Sequence, residues 1–137
     1  MSVISELIRT EADGKISFGD YTLVSKTKKD NFEHGADKYK VKTFREITKL
    51  ECNGSFVYES VPGTAVSGLD ITENEVSFLV EGPEDAEITL GLCDSTEYEV
   101  FINDENAGTM KTNLGGKLTV SVELGTTEQT AVRIVKK

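Results

Sequence analysis

The chain holds one histidine, His34, and it stands among the carboxylates Asp30, Glu33 and Asp37. A histidine beside carboxylates is the pattern of a metal ligand or of a general base. The stretch around it, "SKTKKDNFEHGAD" (residues 25–37), is polar and carries both charge signs, which predicts a long loop. A lone histidine in such a loop is expected to be solvated, so His34 is a candidate contact residue and not a catalyst. Any Ser-His-Asp or Cys-His nucleophile would depend on this same histidine. No serine stands in a G-x-S-x-G elbow.

The other chemistries fare no better. "GLDITENE" offers Asp70, Glu73 and Glu75 but lacks the spacing and glycine of an EF-hand loop. "NLGGKL" (residues 113–118) has a glycine pair and Lys117 without the gap and GK[ST] ending of a phosphate loop, and is expected to be a hairpin or bulge. Cys52 and Cys93 are the only cysteines, with no CxxC pair, whereas a structural zinc takes about four ligands. They are expected as buried free thiols, with a disulfide left open. Two carboxylates suffice for glycoside hydrolysis, and 24 acidic residues make such a pair uninformative. Tyr21, Tyr39, Tyr58 and Tyr98 are the candidate exposed rings for a sugar platform, and each fits core packing with a wet hydroxyl better. No catalytic residue, metal or cofactor is assigned.

The elements that would position these residues are mostly strands. Apolar residues alternate in "KISFGDYTLV", "KYKVKTF", "EVSFLVEG", "AEITLGL", "EYEVFIN", "KLTVSVEL" and "TAVRIVK". In "ITKLECNGSFVYES", Asn53-Gly54 between two such runs predicts a type I′ hairpin, because both residues accept positive φ. Pro62-Gly63 predicts a type II turn. About nine short strands follow, with turn signals every 8–12 residues, which indicates an antiparallel β-sandwich, jelly-roll-like, or a barrel. Only the start differs. Val3, Ile4, Leu7 and Ile8 fall at helical spacing behind Ser2 as N-cap and before Asp13-Gly14, so a short amphipathic helix is expected over residues 1–13. The whole of 1–137 is expected to form one domain.

Charge narrows the partners. A net charge of −9 disfavours nucleic acid. The charge is uneven: residues 1–50 carry ten Lys or Arg and eight Asp or Glu, residues 51–137 five and sixteen. No apolar run approaches membrane length and the start has no secretory pattern, so a cytoplasmic chain without a membrane partner is expected.

"MSVISELIRTEADGKISFGDYTL", "FVYESVPGT", "FLVEGPED" and "MKTNLGGKL" resemble a family of short Firmicutes proteins often labelled endosialidase. That label implies a sialic-acid-active protein. The chain departs from the sialidase pattern: it has no Trp and no SxDxGxxW box, and Arg9, Arg45 and Arg133 carry no motif. No catalytic residue is transferred. "YEVFIN…AGTMKTNLGGKLTVSVEL" is similar to the small β-sandwich accessory modules of polysaccharide enzymes, which is a likeness of fold alone. The expected function is a non-catalytic interaction module that binds a protein partner or another copy of itself. The alternative is a glycan-binding or sialic-acid-active protein. The residues expected to make contacts are Val3, Ile4, Leu7, Ile8, His34 and Tyr58.

Overall fold

The structure, a computed structural model, describes residues 3, 4, 6–125 and 129–137. Among them run thirteen strands and no helix: β1 (Ile8–Thr10), β2 (Ile16–Phe18), β3 (Thr27–His34), β4 (Asp37–Phe44), β5 (Ile47–Cys52), β6 (Ser55–Val61), β7 (Ala65–Ile71), β8 (Glu75–Glu81), β9 (Ala86–Gly91), β10 (Glu97–Ile102), β11 (Glu105–Lys111), β12 (Lys117–Val122) and β13 (Thr130–Lys136). They form two antiparallel sheets. One has seven strands in the order β1-β2-β7-β8-β13-β10-β11, the other six in the order β12-β9-β6-β5-β4-β3. Neither closes into a barrel. Their inner faces meet in one core, where the Tyr58 ring of the six-stranded sheet packs edge-on against Phe18 and Phe78 of the seven-stranded sheet at 5.2 and 5.7 Å. This is a sandwich, and among the described residues no helix is long and apolar enough to cross a membrane.

Strict alternation makes the sheets one-sided. Along β12, Leu118, Val120 and Val122 are buried while Lys117, Thr119 and Ser121 are exposed. Along β4, Tyr39, Val41 and Thr43 point inward and the intervening lysines outward. The hairpin at Asn53-Gly54 forms as its residues require, with φ of 51° and 82° joining β5 to β6. Asn103 and Asp104 repeat the geometry between β10 and β11.

The strands number thirteen among the described residues where about nine were expected, and three further expectations are corrected. The N-terminal helix is absent. Leu7 takes φ 74°, outside the helical region, and the chain turns there into β1, which pairs with β2 through Ile8–Phe18 and Thr10–Ile16. Ile4 and Ile8 are both buried in the protein's own core, so tertiary burial overrides the helical spacing. Ser2, the expected cap, lies outside the described residues. Second, most of the stretch expected as a loop over 25–37 is strand β3. It is an edge strand with both faces largely exposed, so it has no apolar alternation to reveal it. Third, Gly63 lacks the positive φ of a type II turn. It is needed for a close approach: a Cβ there would collide with the Phe44 carbonyl oxygen, and its N–H donates to the Arg45 carbonyl at 3.1 Å.

Candidate functional site

The expected contact residues do not come together. Tyr58 is fully buried and its hydroxyl belongs to a chain of buried hydroxyls. Tyr58 Oη and Ser60 Oγ both hydrogen-bond Thr64 Oγ1, at 2.7 and 2.8 Å. Thr48 Oγ1 donates to the Thr64 carbonyl at 2.8 Å and accepts the Thr64 N–H at 3.0 Å, and it also meets Thr43 Oγ1 at 2.9 Å. Thr43 in turn accepts the Asp20 N–H at 2.9 Å. Burial pushes the Tyr58 phenol far up, so it offers no nucleophile. The chain ties the Pro62-Gly63 corner to β4, β5, β6 and the segment that follows β2, which is work for a core and not for a ligand.

The remaining candidates scatter. Ile4 and Ile8 are buried, while Val3 and Leu7 are half-buried. His34 is half-exposed at the end of β3, where Nδ1 lies 3.1 Å from Thr10 Oγ1 and the ring meets Tyr39 edge-on at 6.1 Å. Tyr21, Tyr39 and Tyr98 are buried like Tyr58, so none presents a ring face. Tyr21 donates to Glu81 Oε2 at 2.9 Å. The expectation of two buried thiols is also corrected: both are free, but Cys52 is half-buried and Cys93 is exposed. Burial still raises the Cys52 thiol above its ordinary range. At the β1–β2 turn, the Ser17 hydroxyl and Arg9 Nε both donate to Glu11 Oε2, and the Ser17 bond leads in holding that carboxyl below its usual range.

Among the described residues no group of three or more His, Cys, Asp or Glu is placed to hold a metal. A surface cleft of about 550 Å³ runs between the start of β11 and the end of β12. Its carboxylates, Glu105 and Glu123, are both exposed, and its described lining holds no His, Cys, Tyr, Lys or Arg.

What the fold does assemble is a basic sheet face. Lys28 on β3 stands opposite Lys42 on β4, and Lys42 stands opposite Lys49 on β5. Lys42 and Lys49 point outward, and β3 is open on both faces, so three lysines stand in one cross-strand row on adjacent strands about 4.8 Å apart. Like charges in direct cross-strand register repel. Flanking carboxylates relieve this only in part. Lys49 lies 3.8 Å from Glu51 and Lys40 lies 4.0 Å from Asp30, all four side chains being about a third to a half exposed, which makes these weak pairs. Among the described residues neither Lys28 nor Lys42 makes an ion pair. On the same sheet the Phe56 ring carries Lys117 Nζ at 4.7 Å from its centroid and Lys49 Nζ at 6.0 Å. The signal for this face was the lysine alternation in "KYKVK", whose apolar half alone points to the core. The row itself depends on strand register, which sequence does not display.

No family model, no curated protein and no solved structure matches the chain.

Proposed function

We propose that the protein is a non-catalytic interaction module, a jelly-roll-like sandwich that binds an acidic protein surface through the outer face of β3, β4 and β5. The observation that carries this reading is the aligned row Lys28, Lys42 and Lys49 in a chain of net charge −9. Holding three cations in register costs free energy that an anionic partner returns, and complementary charge raises the rate of encounter. The free thiols of Cys52 and Cys93 agree with a cytoplasmic setting. The test is binding to poly-L-glutamate, standing in for an acidic protein surface. Wild type should bind and weaken with salt, Lys28→Glu/Lys42→Glu should lose binding, and Lys136→Glu/Lys137→Glu should keep it. Equal loss in both variants would reduce the effect to net charge and sink the proposal.

A second reading has its own observation. Phe56 flanked by Lys49 and Lys117 pairs an aromatic ring with cations, a combination suited to a carboxylated sugar and in line with the endosialidase-like resemblance. Calorimetry with polysialic acid separates the readings: binding lost in Phe56→Ala but kept in Lys28→Glu/Lys42→Glu favours the sugar.

A further inference from the structure

We infer that the occupant of this face is the same face of a second copy, the two related by a two-fold axis running along the strands between β5 and β6. This rests on the reading above and names its partner. Closed two-fold pairs need a self-complementary surface, in which one residue meets a second and the second meets the first. The outer face of the six-stranded sheet has that character about the β5–β6 seam.

The row through the lysines continues across the sheet as Lys28, Lys42, Lys49, Glu59, Thr89 and Thr119, each opposite the next. Cations occupy one half and the carboxylate begins the other. An axis along the seam lays β5 on the partner's β6, β4 on its β9 and β3 on its β12. Position along the strands is kept, so Lys49 comes over the partner's Glu59 and Glu59 over the partner's Lys49. One row away, the outward residues at the seam are apolar. Ile47 and Val61 each stand one residue beyond the Thr48–Ser60 pair, Phe44 lies opposite Ile47, and Val61 is 53% exposed. The same operation puts Ile47 over the partner's Val61. On the other side of the lysine row it brings Asp30, the ion-pair partner of Lys40, towards the partner's Lys117 at the far edge. Complementarity is therefore concentrated at the seam, in Lys49 with Glu59 and Ile47 with Val61, while Lys42 and Lys28 come over the uncharged Thr89 and Thr119 and Phe44 over Glu87.

The area lies at the lower end of what a specific dimer uses. Six strands about 4.8 Å apart, with about six residues each rising roughly 3.3 Å, give about 500 Å² of flat face per copy. Side-chain relief adds to this, towards the roughly 800 Å² that a standard interface takes from each partner.

Sedimentation velocity at low salt tests the arrangement with the full chain. Wild type should form a dimer that dissociates as salt is raised. Val61→Glu should weaken it tenfold or more. Lys49→Glu alone and Glu59→Lys alone should each weaken it at least tenfold, since each places like charges together twice. Mixing these two variants should restore the dimer, because each then supplies the charge the other lacks. Lys49 and Glu59 are also neighbours within one chain, and that repulsion persists in the mixture, so rescue on mixing reports contact between copies. A wild-type monomer at high concentration and low salt overturns the inference, and so does a dimer indifferent to Val61→Glu or unrescued by mixing. None of these outcomes bears on binding to poly-L-glutamate, whose failure would remove the proposed function instead.

Discussion

A phenol shut away from water keeps its proton. Burial is the leading cause that pushes up the phenols of Tyr21, Tyr39, Tyr58 and Tyr98, with the Glu81 carboxylate adding to it at Tyr21 and Cys52 at Tyr39. In the unfolded chain these groups titrate near pH 10. A folded value raised above the unfolded one leaves stability whole below about pH 10 and removes it as pH climbs from there towards the folded value. Each tyrosine held protonated then costs up to about 1.4 kcal/mol per pH unit. Phenolate absorbance should therefore appear in one step with the loss of far-ultraviolet circular dichroism. A smooth titration near pH 10 with the dichroism unchanged would contradict the burial of all four rings. The alternation of Tyr39 and Tyr98 with charged neighbours made their core positions legible in the sequence, whereas Tyr58, next to Val57, was also expected to make contacts. Their hydroxyl partners were not legible: Thr64 reaches Tyr58 only because the Pro62-Gly63 corner folds back over β6.

At the scale of elements, β1 shows how one spacing serves two structures. Ile4 and Ile8 are four apart, as on a helix face, yet the turn at Leu7 points both into the core. Ile8→Ala should cost about 2–5 kcal/mol, the range for emptying a buried site, measured by denaturant unfolding. A stripe lying on a helix surface would give far less. The strands with one wet face, such as β4 and β12, were readable because burial imposes period two on them. β3 and β11 were hard to read for the opposite reason. Both are edge strands with almost nothing buried, and their backbone pairing leaves no mark on residue type. The lysines of β3 have a use there all the same, since charge on an open edge discourages unwanted strand addition. The basic face was hidden because it exists only once β3, β4 and β5 are in register.

Across the whole molecule the two sheets are wired differently. In the six-stranded sheet β3, β4, β5 and β6 follow one another as hairpins, and β12 completes it. The seven-stranded sheet is joined only through β13, which pairs with β8 on one side and β10 on the other. Without it, β1-β2-β7-β8 and β10-β11 are separate pieces. This wiring makes one strand decisive. Of the thirteen strands β13 is the last in order, so a chain that stops short of it has every strand of the six-stranded sheet while the other still presents two open edges. Val132 and Ile134, buried at 1% and 0% exposure, close the core only when they arrive. A chain released by a stop at the Thr130 codon should thus stay protease-sensitive, as limited digestion would reveal. A stop just after Lys136 should release a resistant one. A chain that lacks β13 is therefore a two-edged intermediate, the form that the cell's quality control would act on.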